Sequence, residues 1–230
     1  YLSYIKEVIN GKPVQYITKE QEFMNLKFYV DENVLIPQPD TEILVEEAIK
    51  KINEIKKVKN IKVLDLCTGS GAIAVSIKKY ADNSKKNVEV YATDISENAI
   101  KIANKNAKRN NVKINFILSD MFKKIKEKDF DIILSNPPYI ETTTIDTLSK
   151  EVQNEPYIAL NGGEDGLEFY RIIAKNGYNY LTKNGSILLE IGYNQKEKVI
   201  QIFDDTKKYS EIKNKKDLSG NDRLIEIDVN

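Results

Sequence analysis

Apolar residues follow two different periodicities along this chain. Predominantly apolar runs, of a kind typical of buried strands, occur at 61–66, 88–93, 114–118, 132–134 and 186–191. Between these runs, apolar residues recur every three to four positions, which is typical of amphipathic helices. This alternation of strand and helix predicts an α/β fold with a doubly wound, mostly parallel sheet.

Both ends of the chain depart from that alternation. A helical stripe over residues 1–10 precedes two β-rich runs within 14–30, which predict an N-terminal β-hairpin around Met24. Two further runs, at 209–212 and 223–229, predict a C-terminal antiparallel hairpin. Together with the five internal strands, that last pair predicts a seven-stranded sheet.

Helices are predicted at 43–52, 72–80, 97–109, 167–181 and 195–203. Pro37 and Pro39 stiffen the approach to the first helix, and Asp40 or Thr41 is expected to cap it, because a short polar side chain can accept a hydrogen bond from a free helix N–H. The polar run 141–149 is expected to be a mobile surface segment.

The composition narrows the class of protein. With 230 residues, 41% of them hydrophobic and 30% charged, the chain can form one large α/β domain with a substantial core. Lysine plus arginine equal aspartate plus glutamate at 35 each, so no global positive field favours nucleic acid. The single cysteine excludes an internal disulfide framework. We find no signal peptide and no membrane-spanning apolar run, and expect a cytoplasmic protein.

A glycine-rich turn follows the first internal strand. Gly69 and Gly71 permit a sharp turn and close approach of the backbone to a ligand at a helix N-terminus. Asp94 ends the next strand, where its carboxylate can accept from ribose hydroxyls. Asp120 can accept from an adenine amine beside Met121, or these two residues can be a turn cap and a core side chain. The pattern predicts one nucleotide-binding half of the sheet.

The strand at 132–134 ends at Asn136-Pro137-Pro138-Tyr139. The prolines lack an N–H and fix their φ angles, so the strand stops in a rigid tip. Carbonyl oxygens and the Asn136 side-chain oxygen then form a cluster of acceptors beside a tyrosine ring, which suits a substrate NH₂ group. The chain has no histidine. Positioning alone can supply about 7–11 kcal/mol of a barrier, so the site does not require a strong base.

These signals are expected to share one site. In an open parallel sheet, ligands lie beyond the carboxyl ends of the strands where the strand order reverses. Gly69, Asp94 and Asn136 should therefore converge on one crevice. The turn-rich segment 155–166 is too long and glycine-dense for a simple connector and is expected to cover that crevice.

Several motifs resemble those of the class I S-adenosylmethionine-dependent methyltransferases, and within them the release factor glutamine methyltransferases. The matching segments are 36–42, 64–73, 135–139, 155–160, 162–167 and 217–223. The tetrapeptide at 136–139 specifies only amine or amide methylation. The proline-rich motif at 36–42 and the Asp-Gly-Leu stretch at 165–167 are more selective for the narrower family.

The resemblance implies a Rossmann-like fold that binds S-adenosyl-L-methionine and releases S-adenosyl-L-homocysteine. It implies that the cofactor lies over residues 67–71, with Asp94 on the ribose, Met121 near the adenine and Asn136 near the reacting end. The implied cofactor-binding residues are Cys67, Thr68, Gly69, Ser70, Gly71, Asp94, Met121 and Asn136. The implied catalytic residues are Asn136, Pro137, Pro138 and Tyr139. No metal site is expected.

The implied substrate is the glutamine side-chain amide of the Gly-Gly-Gln motif in peptide chain release factors, so the implied process is protein methylation in translation termination. Asn136 and the Pro137 carbonyl would grip this amide, with Tyr139 beside it. Two residues depart from the family pattern: Cys67 replaces a usual glycine, and Gln38 replaces a usual arginine.

The predicted domain organisation also follows the family. Residues 1–33 are expected to be the end of an N-terminal helical domain plus a hairpin linker, and residues 34–230 the methyltransferase domain. The chain begins inside a predicted helix, so we expect a fragment. We expect a monomer without direct nucleic-acid or membrane contacts.

Three other functions are compatible with parts of this pattern. Gly69, Gly71 and Ala74 also fit a dinucleotide fingerprint, but an NAD-dependent oxidoreductase gives the tip at 136–139 no purpose. A methyltransferase for exocyclic base amines in DNA or RNA would use the same acceptors, although zero net charge argues against it. A nucleoside-binding partner of release factors would need Asp94 but not Asn136.

Overall fold

The computed structural model describes residues 2–56 and 60–229. The N-terminal part comprises helices α1 (Leu2–Ile9) and α2 (Val14–Thr18), followed by strands β1 (Gln21–Phe23) and β2 (Leu26–Phe28). Strands β1 and β2 form an antiparallel hairpin, as the sequence predicts. Tyr1, at the start of the predicted first helix, lies outside the described residues.

Residues 14–18 form a helix, so the predicted strand there is wrong. Pro13 precedes the helix with a φ of −55°, and Lys19 ends it in the left-handed conformation. The Tyr16 side chain is buried, and its hydroxyl donates to the Val34 carbonyl oxygen over 2.6 Å. This tertiary contact outweighs the local β preference of the segment's branched residues.

The remaining elements alternate as predicted. A 3₁₀ turn at Pro39–Thr41 is followed by α3 (Glu42–Glu54), β3 (Ile61–Leu66), α4 (Ala72–Asn83), β4 (Val88–Asp94), α5 (Glu97–Arg109), β5 (Asn115–Leu118) and β6 (Phe130–Ser135). A second 3₁₀ helix at Thr142–Thr147 is followed by α6 (Lys150–Gln153), α7 (Tyr157–Leu160), α8 (Glu168–Asn176), a 3₁₀ turn at Gly177–Tyr180, β7 (Leu181–Glu190), α9 (Lys196–Asp204), β8 (Glu211–Lys216) and β9 (Asp222–Asp228).

The last seven strands form one sheet in the order β5-β4-β3-β6-β7-β9-β8. Strands β5 through β7 in that order are parallel, and β9 runs antiparallel to both β7 and β8. This confirms the predicted seven-stranded, mostly parallel sheet and its C-terminal hairpin. No helix among the described residues combines the length and the apolar character needed to cross a membrane.

Helices cover both faces of the sheet, because successive side chains of its strands point to opposite faces and are apolar on both. Val63 and Ile132 point into a core formed with α3 and α4. Leu64 and Ile133 point into the opposite core, formed with α8 and α9. Each central strand is therefore buried on both faces, which is why apolar residues occupy successive positions in it instead of alternating with polar ones.

Two predicted boundaries are corrected around residue 180. Helix α8 ends at Asn176 instead of continuing to 181, and the chain tightens into the 3₁₀ turn at Gly177–Tyr180. Gly177 lies close to the sheet, where a Cβ would be 2.8 Å from Ile187 Cδ1. Strand β7 begins at Leu181 instead of 186, because Leu181 already pairs with Phe130 before the register shifts.

Candidate active site

The site lies where the strand order reverses. Strand β3 pairs with β4 along one edge and with β6 along its other edge, so the strand order reverses at β3. The register aligns Thr93, Leu66 and Ser135 in one row. The next residues, Asp94, Cys67 and Asn136, therefore leave the sheet side by side. They line a cavity of about 820 Å³ beyond the carboxyl ends of the strands.

Asp94 holds the glycine turn in place and also lines the cavity. Its Oδ2 accepts from the Gly69 backbone N–H over 2.9 Å, and its Oδ1 accepts from the Ser96 N–H over 2.8 Å. Burial raises the pKa of Asp94, and these backbone N–H groups oppose that rise. Gly69 has a φ of 53°, and a Cβ on it would meet no atom within 4 Å. Its missing side chain therefore leaves open space beside a fixed carboxylate.

Three residues of the predicted cofactor turn do not line the cavity. The Thr68 hydroxyl donates to Asp65 Oδ2 over 2.6 Å, and the Ser70 carbonyl oxygen accepts from Asn106 Nδ2 over 2.9 Å. Gly71 has a φ of 80°, and a Cβ there would lie 3.0 Å from the Cβ of Ala103 on α5. These residues shape the turn and bring α5 close to it.

Cys67, which departs from the family pattern, lines the cavity with Met121. Its φ is 58°, in the left-handed region that favours glycine. Its Sγ lies 3.6 Å from Met121 Sδ, and burial raises the pKa of the thiol, so it stays protonated at neutral pH. Gln38, the other departure, donates from its amide to the Ile36 carbonyl oxygen over 3.1 Å.

The tip at 136–139 presents only part of itself to the cavity. Asn136 and Pro138 line it, whereas Pro137 and Tyr139 do not. Asn136 Nδ2 donates to the Thr41 hydroxyl oxygen over 3.1 Å, so its Oδ1 is the side-chain atom left to accept from a ligand. Thr41 makes no side-chain cap for α3, contrary to the sequence prediction.

Tyr139 lies behind the tip. Its hydroxyl donates to Glu190 Oε1 over 3.4 Å, and its carbonyl oxygen accepts from Gln195 Nε2 over 2.9 Å. Burial raises the pKa of the Tyr139 hydroxyl. The tyrosine therefore anchors the tip to Glu190 and Gln195, neither of which lines the cavity.

The sequence reasoning missed several cavity residues. Ile95 lines the cavity and is 53% exposed, and the sequence signal for it was an apolar residue directly after the acidic residue that ends the strand. Phe122, next to Met121, stacks on Tyr180 with ring centroids 4.7 Å apart. No local sequence pattern predicted that residues of α8 line the cavity. The wall further includes Val34, Phe169, Ile172 and Asn176. It also includes Ile158 and Ala159, which belong to the segment 155–166 that the sequence predicts to cover the crevice.

The cavity has features that suit a nucleoside cofactor. Met121, Ile95 and Phe122 offer apolar surface for a purine, Asp94 offers carboxylate oxygens for ribose hydroxyls, and Gly69 leaves room beside them. Within residues 2–56 and 60–229, no cluster of three or more acidic or cysteine side chains could hold a metal ion.

This fold and this crevice define a class I methyltransferase. Residues 40–165 match the family model of the methyltransferase small domain. A crystal structure of a methyltransferase from Pyrococcus furiosus aligns with a TM-score of 0.64 at 19% identity, covering 99% of this chain and 98% of that chain. At that identity, the likeness supports the fold alone.

Closer relatives define the family. The chain is 44% identical over 225 residues to the release factor glutamine methyltransferase of Thermodesulfovibrio yellowstonii, covering 97% of this chain and 78% of the relative. It is 42% identical to the enzyme of the same name from Clostridium acetobutylicum, covering 98% and 78%. A solved protein-(glutamine-N5) methyltransferase (release factor-specific) from Alicyclobacillus acidocaldarius is 31% identical with a TM-score of 0.51, covering 88% and 99%. The chain belongs to the release factor glutamine methyltransferase family.

Proposed function

We propose that this protein methylates the side-chain amide nitrogen of the glutamine in the Gly-Gly-Gln motif of peptide chain release factors, with S-adenosyl-L-methionine as the methyl donor. One observation of the structure carries the proposal. Asn136 lines the same cavity as Asp94 and Gly69, and Thr41 engages its amide nitrogen so that its oxygen is left as an acceptor.

The cofactor would be held by the row of residues at the ends of β3, β4 and β5. Each Asp94 oxygen already accepts one backbone N–H and retains a further lone pair for a ribose hydroxyl. Met121 and Ile95 would contact the adenine. When bound, the cofactor supplies an electrophilic methyl group and leaves as S-adenosyl-L-homocysteine.

The acceptor amide needs orientation because its lone pair is delocalised into the carbonyl group. Asn136 Oδ1, which lines the cavity, would accept a hydrogen bond from the amide N–H and direct the nitrogen at the methyl group. Transfer would form a nitrogen–carbon bond and break the carbon–sulfur bond of the donor, and the surplus N–H proton would pass to solvent. Such positioning can contribute about 7–11 kcal/mol.

A base-amine methyltransferase would stack an extruded base on an aromatic face at this tip. The Tyr139 ring does not line the cavity, and its hydroxyl is directed to Glu190. This arrangement favours an amide acceptor over a nucleobase.

The test is transfer of labelled methyl to a purified release factor, beside its Gly-Gly-Ala variant and a DNA control. We expect label on the first protein and none on the other two. Label on DNA, or equal label on the Gly-Gly-Ala variant, would contradict the proposed acceptor.

A further inference from the structure

In the proline-rich motif at residues 36–42, Thr41 contacts Asn136, and two further polar side chains hold other elements in place. Glu42 Oε1 accepts from the Met24 backbone N–H over 2.6 Å. Asp40 pairs with Arg223 of β9 over 3.1 Å. Thr41 accepts from Asn136 Nδ2. The motif therefore links the β1–β2 hairpin, the C-terminal strands and the tip after β6.

Glu190, the last residue of β7, lies near Thr41 and is 3% exposed. Its Oε1 accepts from the Tyr139 hydroxyl, whereas its buried Oε2 has no hydrogen-bond partner among the described residues. Burial raises the pKa of Glu190 to about 7, while the neighbouring Thr41 hydroxyl and the Arg223 guanidinium lower it. The other ionisable groups near it are Asp40, Tyr139 and Tyr170.

The donors and acceptors of these groups determine which way the Thr41 hydroxyl proton points and how the Asn136 amide is oriented. When Glu190 is ionised it can only accept, and its buried, unpartnered Oε2 would attract the proton of the neighbouring Thr41 hydroxyl. The hydroxyl oxygen then has its lone pairs free to accept from Asn136 Nδ2. If the Thr41 proton turned toward Asn136 instead, the asparagine amide could flip and present its NH₂ group to the NH₂ group of the acceptor. Two donors would then face each other.

We propose that Thr41 and Glu190 are positioning residues that hold the Asn136 side chain with its oxygen toward the acceptor amide. The inference rests on the proposed function and extends it to two residues that do not line the cavity. Their loss should slow methyl transfer at saturating substrates and leave cofactor affinity unchanged.

The test compares Thr41→Val with Thr41→Ser. Valine keeps the volume of threonine and removes the hydroxyl, whereas serine keeps the hydroxyl. We expect Thr41→Val to lower kcat about 10- to 100-fold, the range for loss of one orienting hydrogen bond, and Thr41→Ser to stay within about threefold of the unmodified enzyme. The Kd for S-adenosyl-L-homocysteine, measured by calorimetry, should stay within about twofold in both.

Glu190→Gln gives an independent measurement. The glutamine amide can donate to Thr41 and reverse the direction of the Thr41 proton, so kcat should fall about 5- to 10-fold, again without loss of cofactor affinity. This variant carries the test if Thr41→Val does not fold.

Each other outcome is decisive. Full activity of Thr41→Val, equal losses in the valine and serine variants, or a matching loss of cofactor affinity would overturn the positioning role. Full activity of Glu190→Gln would remove Glu190 from it. If the unmodified enzyme leaves the release factor glutamine unlabelled, the proposed function itself fails, which is a distinct result.

Discussion

The Asp94 carboxylate has a structural and a proposed binding role in one side chain. It holds the backbone N–H groups of Gly69 and Ser96, which begin the turn after β3 and the approach to α5. It also lines the cavity. Because the backbone fixes both oxygens, the carboxylate needs no rearrangement to receive a ribose.

We expect Asp94→Asn to weaken binding of S-adenosyl-L-homocysteine about 10- to 100-fold, because hydrogen bonds to a charged acceptor contribute about 1.5–3 kcal/mol. Titration calorimetry gives the affinity. Asp82→Asn is the matched control, since Asp82 is exposed near the far end of α4 and pairs with Lys78. An affinity of Asp94→Asn equal to that of the control would exclude Asp94 from the cofactor site.

In the structure, Gly71 allows close packing against α5, whereas the sequence pattern predicted that it contacts the cofactor. Both Gly71 and Gly220 have left-handed φ angles, of 80° and 85°. An added Cβ would meet Ala103 at Gly71 and open space at Gly220. Comparing an alanine substitution at each position therefore distinguishes the cost of backbone strain from the cost of steric overlap.

We expect Gly71→Ala to lower the free energy of unfolding by about 2–4 kcal/mol, from left-handed strain and overpacking together. Gly220→Ala, with strain alone, should cost about 1–2 kcal/mol. Urea denaturation measures both. Equal decreases in the free energy of unfolding at the two positions would show that α5 moves to accommodate the added methyl group and would contradict the overpacking at Gly71.

The elements around the cavity are joined by a buried carboxyl group. Glu155, between α6 and α7, accepts from the Ile36 backbone N–H over 2.8 Å. Burial raises the pKa of Glu155 from its ordinary 4.5 to about 7, and the Ile36 N–H and the Tyr16 hydroxyl oppose that rise. This contact links segment 33–36 to segment 155–160, both of which contribute to the cavity wall.

The raised pKa has a consequence for stability. The folded protein binds the Glu155 proton more tightly than the unfolded chain does, so this contribution is fully present below pH 4.5 and is lost as the pH rises through about 7. We expect Glu155→Gln to reduce the fall in unfolding free energy between pH 5.5 and 8.5 by on the order of 1–3 kcal/mol, measured by urea denaturation.

Exposed Glu164→Gln is the control for that experiment and should keep the pH dependence of the unmodified protein. Buried Asp65 and Glu190, whose pKa values are also raised by burial, leave some dependence in every variant. A Glu155→Gln protein with the same slope as the Glu164→Gln control would contradict the assignment.

Element prediction succeeded where the local signal and the tertiary environment agree. Strand β3 and helix α5 have the predicted bounds, because β3 is a predominantly apolar run and the Ser96 hydroxyl caps α5 by accepting from the Ala99 N–H. Helix α2 was predicted as a strand, because burial of Tyr16 decides its conformation and no local pattern reports that contact.

For the molecule as a whole, topology made part of the site predictable. Strand ends on a parallel sheet meet at one edge, so the convergence of Gly69, Asp94 and Asn136 followed from their places after successive strands. The link from Thr41 to Asn136 spans 95 positions, and Glu190 joins it only because β7 lies beside β6. Such contacts depend on strand order and side-chain direction, which local periodicity does not report.

The central claim is that Asn136 orients the glutamine amide in the crevice. The most direct test is mass spectrometry of the release factor peptide that carries Gly-Gly-Gln, after incubation with the unmodified enzyme or with Asn136→Ala. We expect methylation of the glutamine side chain by the unmodified enzyme. The variant should lose about 100-fold or more of the rate while its cofactor affinity stays within about threefold. A fully active Asn136→Ala enzyme, or a methyl group on any other residue, would contradict the account.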